Sequence, residues 1–393
     1  MHTNAKLAII SRGLISFAYG FLMVIFPLYL YSLGYDLVTV GLVIFAAMII
    51  NALLAFLLGM LADHYGRKYI MSLLFALFAV SSGLFLIANN AALLAVLAGL
   101  AGFTTGSTGG PIGSGGPVGG IQTAIISETV DNRTMPRILG IASVTEMAAA
   151  MVGAYVIPLV EYAHIFVYDL FYAGLVIGIA SFASSVFIKD LKIRSRKLLP
   201  SISFKNIFRL SLPTIPCGLG SGLIIPILSL WLKLRYNVST GTIGAVFGTM
   251  NVFVIISMLL MPRMAMKVGK LKVIVLSRVA ASLAFILMAF SAAFPLAAFF
   301  IIARGSFAMG SMPVRQSFVM TNVHETERAT TNGATSLSRN GSSSFGPIIS
   351  GYMMPVDMAY IPLVGGIITM FDPLLYYLMF RGQWHEKGMA EKH

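Results

Sequence analysis

Gly59-Met60-Leu61-Ala62-Asp63-His64-Tyr65-Gly66-Arg67-Lys68 joins two long apolar runs, roughly 38–60 and 69–88. The join is too short to be a domain, yet it holds glycines, an acid and a basic pair. Each flanking run is about 20 residues, enough to cross about 30 Å of hydrocarbon as a helix. The rest of the chain has the same character. Of 393 residues, 58% are hydrophobic and 10% charged, and mean hydropathy is +0.87; a soluble domain carries about 25% charge. Helices are expected, because backbone polar groups facing lipid must be satisfied internally and the alternation of a barrel is absent. Twelve spans are read, from roughly 7–32 to roughly 359–380, with boundaries good to a few residues. The fourth, roughly 91–126, is too long for one plain helix. Met1 to Lys6 runs straight into the first span without a small-residue cleavage site, so no cleavable signal peptide is read.

The net charge of +13 invites a nucleic-acid partner, but topology explains it better. With both termini cytoplasmic, the inner loops hold Arg67, Lys68, Arg133, Arg137, Arg263, Lys267, Lys270 and Lys272, and the outer loops only Lys233 and Arg235. That asymmetry is the positive-inside rule of a multi-pass membrane protein. The basic segment from Lys189 to Arg209 is expected to rest on anionic lipid. No nucleic acid partner is expected. Cys217 is the sole cysteine, which leaves no disulfide framework and no metal cluster. No Ser/His/Asp constellation or phosphate loop is present, so neither an enzyme nor a cofactor is expected.

The chain repeats itself. Phe26-Pro27-Leu28-Tyr29 ahead of Gly41 resembles Ile225-Pro226-Ile227-Leu228 ahead of Gly244, and the loop around Gly66 returns, degenerate, as Met266-Lys267-Val268-Gly269-Lys270. Gln122-Thr123-Ala124 returns as Gln316-Ser317-Phe318. Residues 1–188 therefore form one six-helix bundle, 189–203 a basic cytoplasmic linker and 204–393 a second bundle. Gly66 and Gly269 lie 203 residues apart, but Gln122 and Gln316 only 194. The first half carries the surplus, and Gly102 to Gly120, reading GFTTGSTGGPIGSGGPVGG, is its natural place. Glycine and proline at about 1 and 3 kcal/mol per position argue against a continuous helix there. Either the freed amides face a cavity, or the piece is a bulge without a ligand.

Glu146, Arg304 and Arg339 lie deep inside spans rather than in loops. A charge at the midplane costs roughly 2.5–3.5 kcal/mol on insertion scales and marks a functional site by default. At the 194 offset Arg339 maps onto Thr145 and Asn340 onto Glu146, so the two charges sit at similar depth. Glu146 is either a proton carrier or half of a structural Glu–Arg pair. Arg304 and Arg339, with Asn340, Asn251 and Tyr19, are candidate solute contacts. Arg315 is read as an inner-face contact, and Asp372, before Pro373, is given no role.

The opening stretch resembles the loop between the second and third helices of the major facilitator superfamily, G-x-L-x-D-[RK]-x-G-[RK]-[RK], and departs from it only at His64. Pro313-Val314-Arg315-Gln316, Arg339-Asn340 and Gly346-Pro347 with Gly351 resemble the drug-exporter-like branch of its prokaryotic members. The glycine-proline pattern of drug/proton antiporters in the fifth span is missing, with Gly153-Ala154-Tyr155-Val156-Ile157-Pro158 in its place. The resemblance implies twelve helices in two pseudo-symmetric bundles and alternating access, with spans 1, 2, 4, 5, 7, 8, 10 and 11 lining the pathway. It implies a conformational latch of Gly59, Asp63, Gly66, Arg67 and Lys68, in which Asp63 meets the eleventh helix N-terminus and Arg67 pairs with Glu128 or Asp131. The expected activity is secondary active transport of a small organic solute, leaning anionic or zwitterionic, with protons as coupling ion, by a monomer in the cell membrane. Export of lipophilic compounds is the alternative. A non-transporting sensor on the same fold is a remote one.

Overall fold

The computed structural model describes residues 3–104, 117–130, 134–188, 204–323 and 328–384, and among these there is no strand. The expected linker 189–203 and residues 105–116 of the glycine-rich piece lie outside them. The first half comprises α1 (Thr3–Ser32), α2 (Leu37–Tyr65), α3 (Arg67–Leu84), α4 (Ala91–Ala101), α5 (Pro117–Thr129), α6 (Met135–Tyr162) and α7 (Leu170–Val186). The second comprises α8 (Phe204–Ser211), α9 (Thr214–Ile224), α10 (Leu228–Tyr236), α11 (Thr240–Val268), α12 (Lys270–Ala289), α13 (Phe294–Gly310), α14 (Met312–Thr321), α15 (Arg328–Ser344), α16 (Gly346–Met353) and α17 (Tyr360–Phe380). Ten helical stretches among the described residues are long and apolar enough to cross a membrane. Two interrupted spans complete twelve. One is α4 followed by α5, and the other is α15 followed by α16.

The glycine turn between the second and third helices is built twice. Gly66 ends α2 and starts α3 at φ 107°, ψ 133°, and Gly269 ends α11 and starts α12 at φ 102°, ψ 145°. Each glycine N–H donates back into the helix it closes, to Ala62 O at 3.2 Å and to Ala265 O at 3.0 Å. Side chains with a Cβ rarely adopt this φ, so glycine lets one helix turn directly into the next. Helix packing repeats too. α1 packs on α6 and α7, and α3 on α7; likewise α9 packs on α15 and α17, and α12 on α17. Small residues let these pairs approach backbone to backbone. A Cβ at Gly153 would collide with the Phe17 carbonyl on α1, and one at Gly222 with the Ser343 carbonyl on α15.

In the fourth span α4 stops at Gly102, which takes the left-handed conformation at φ 71°, and α5 resumes at Pro117, a residue suited to a first helical turn. Beside this break the first bundle is filled by aromatic rings. Phe85 stacks on Phe171 at 4.6 Å between centroids, and Phe26, Phe103 and Tyr29 close around them.

The described residues pack as two compact units, Met1–Arg196 with Pro226–Gly248, and Lys197–Ile225 with Thr249–His393. In the first, α10 packs on α1. Glu161, in the last turn of α6, accepts from the Ser239 hydroxyl at 3.0 Å and from the Gly241 N–H in the first turn of α11. A carboxylate there serves as a cap supplied by another helix. Glu161→Ala should therefore lower stability by about 0.5–2 kcal/mol and speed amide hydrogen exchange at residues 240–243. Unchanged exchange there would show that Glu161 does not hold this end.

Candidate functional site

Where the first, fourth and fifth spans meet, the first unit encloses a polar cluster. Arg12 of α1 grips Glu146 of α6 through Nη2 at 2.6 Å and Nε at 2.7 Å, both to Oε2. Neither side chain reaches solvent, at 6% and 0% exposure. Gly13, next to Arg12, lies against Thr145, next to Glu146, so the close approach of the helices sets the pair. Gln122 of α5 donates to Ser11 Oγ at 3.0 Å. Glu146 Oε1 accepts no hydrogen bond. Sequence reasoning found Glu146 but not its partner. Arg12 follows Lys6 closely enough to pass for a flanking charge; its signal is the apolar residues on both sides of it. Tyr19, one turn and more beyond, donates to Ala101 O at 2.8 Å and meets Phe78 edge-on at 5.5 Å.

The interior of the second unit is arginine-rich. Arg278 of α12 was not anticipated. Its Nη1 lies 3.1 Å from Asp372 Oδ2 on α17 and donates to Cys217 Sγ on α9 at 2.8 Å. Asp372, given no role from sequence, is thus the buried counter-ion of that arginine, a correction that only tertiary pairing could supply. Arg304 of α13 donates from Nη2 to Ser221 Oγ at 3.1 Å and lies 4.5 Å over the Phe285 ring. Arg315 of α14 is buried rather than at a loop. It donates from Nε to the Tyr376 hydroxyl at 3.0 Å, because α17 packs its aromatic residues against α14 here.

Arg339 of α15 is half-buried, with Nη1 3.9 Å from Met312 Sδ. Arg278 Nη2 approaches the same sulfur at 3.8 Å, so guanidinium groups from α12 and α15 share one soft acceptor. Several polar atoms in this unit are buried without a partner: Arg315 Nη1, Arg339 Nε, Asn340 Oδ1 and both side-chain heteroatoms of Asn251. Buried polar atoms normally find partners; these have none among the described residues.

Among the latch residues, Gly66 makes the turn and Arg67 and Lys68 open α3. Gly59 lies within α2, with open space where a Cβ would stand. The side chains of Asp63 and Glu128, and the whole of Asp131, lie outside the described residues.

A family model described as Major Facilitator Superfamily matches residues 8–209 and again 210–388. The chain is similar in fold to the crystal structure of the nucleoside transporter NupG, with TM-score 0.71 and 15% identity over 97% of this chain and 100% of that one. It is also similar to that of the human organic anion transporter MFSD10 (TETRAN), at TM-score 0.66 and 13% identity over 96% and 100%. An auto-inhibited POT family peptide transporter gives TM-score 0.74 and 10% identity over 97% of each chain. No curated protein matches the sequence. Two matched halves, a doubled glycine turn and helix pairs that recur in each half lead to one conclusion: the chain belongs to the major facilitator superfamily and is a membrane transporter, not an enzyme.

Proposed function

We propose that this protein carries a small anionic or zwitterionic organic solute across the cell membrane by alternating access, coupled to protons. One observation carries the solute class. Arg315 and Arg339 present buried guanidinium donors without partners, and neither faces a carboxylate among the described residues, where the two arginine–carboxylate pairs belong to Arg12 and Arg278. Buried guanidinium needs an anion, and its planar fork fits a carboxylate or phosphate. Asn340, next to Arg339 in the chain, likewise leaves its Oδ1 without a partner. Arg304, enclosed by Phe285 and Ser221, is not part of this set. Fold likeness at 10–15% identity says nothing of the solute, so the arginines alone support this choice.

Glu146 is the proposed proton carrier, since its carboxylate is fully buried and holds one oxygen open. In this reading both termini are cytoplasmic and the Asp63 loop latches the outward-facing state. Asp63→Asn should then lower the outward-facing population, by the 0.3–1 kcal/mol or so of an anion at a helix N-terminus. Cysteine accessibility from each side checks it, and an unchanged ratio contradicts the latch.

Thermal-shift screening of the purified protein against organic anions, amino acids, sugars and lipophilic cations identifies the ligand class. For the ligand found, Arg339→Lys should weaken binding roughly tenfold to a hundredfold, the worth of a charge-assisted hydrogen bond of about 1.5–3 kcal/mol. A ligand set of lipophilic cations alone would reject the anion reading and favour export of such compounds. Undiminished affinity in Arg339→Lys would return that arginine to structural duty.

A further inference from the structure

Deep in the second unit, α9, α12, α13 and α17 surround a small cavity lined by Cys217, Ser221, Arg278, Arg304, Thr369 and Asp372, among others. At about 10 Å³ it is the size of one water, too small for any organic solute. Its walls carry two guanidinium groups and one carboxylate. Asp372 pairs with Arg278 at 3.1 Å, although neither of its oxygens accepts a hydrogen bond. Arg304 has the Ser221 hydroxyl and the Phe285 ring but no carboxylate among the described residues. Arg304 is 7% exposed, Arg278 6% and Asp372 1%, so water does not screen the surplus positive charge, and an unbalanced buried charge is unfavourable. Arg278 Nε has no partner, and Ser221, which accepts from Arg304, keeps its own O–H to give.

We propose that this cavity binds one monatomic anion of the halide class, held by Arg304, the Ser221 hydroxyl and Arg278 Nε, with Asp372 balancing the other arginine charge. Its size separates this site from that of the solute. The bound halide neutralises the interior of the second unit and so stabilises the folded carrier by mass action.

The test uses the full chain in lipid nanodiscs at constant ionic strength, with sodium gluconate replaced stepwise by sodium chloride or bromide. The melting temperature should rise by about 3 °C and saturate with either halide. Arg304→Gln should abolish the response, and Ser221→Ala should raise the half-maximal chloride concentration at least fivefold. Arg339→Lys, which tests the solute reading, should leave that concentration unchanged, so the two ideas stand or fall separately. No halide-specific rise in the parent chain overturns the proposal, as does an unaltered half-maximal concentration in Arg304→Gln. If that variant does not fold, an unaltered value in Ser221→Ala overturns it.

Discussion

Arg12→Gln or Glu146→Gln alone is expected to destabilise the protein by about 3–5 kcal/mol, and the double variant to recover most of that loss. Removing one member leaves the other as an uncompensated buried charge, whereas removing both leaves two neutral amides that can hydrogen-bond to each other. The geometry makes the effect large, since both side chains are shielded from solvent and joined at 2.6 and 2.7 Å. Chemical denaturation of the three variants measures it. Transport separates structure from coupling. In proteoliposomes Glu146→Gln should lose accumulation driven by a pH gradient but keep solute exchange, because the amide mimics the permanently protonated carrier. The double variant should regain stability without regaining accumulation. Single variants as stable as the parent would dismiss the pair as a buried ion pair. Normal pH-driven accumulation by Glu146→Gln would dismiss its coupling role.

Gly153→Val and Gly222→Val are each expected to prevent assembly of the bundle they belong to. The colliding atoms are backbone carbonyls, of Phe17 and Ser343, which cannot swing aside as a side chain can. Separating the helices would empty the surrounding core, so the loss should exceed about 4 kcal/mol, the range reserved for severe packing faults. Gly140 is the control. It sits in α6 with nothing near a built Cβ, so Gly140→Ala should be neutral or stabilising by up to about 1 kcal/mol. Size-exclusion chromatography of the fluorescently tagged variants in mild detergent checks this. Monodisperse Gly222→Val at parental yield would mean that α9 and α15 do not meet as closely as described.

The fold was legible because its decisive signals are local. Gly66 and Gly269 each need a positive φ, and a position of that kind shows in sequence as a glycine between two apolar runs. The broken fourth span was legible for the same reason, as proline and glycine act on their own residues. The ion pairs were not. Arg12 and Glu146 are 134 residues apart, and no local pattern joins them. Arg278 follows Lys270 and Lys272 and resembles the tail of a basic loop until α12 carries it into the bundle. Burial without pairing, as in Arg339 Nε and Asn251, has no sequence signature at all.

Cys217 has a practical consequence. It is the chain's single thiol, is 6% exposed, and its sulfur is engaged by Arg278. Bulky maleimides and spin labels are thus kept from it while the protein is folded. The native sequence already serves as a labelling background, and single introduced cysteines can carry fluorophores for distance measurements without first rebuilding the interior around position 217.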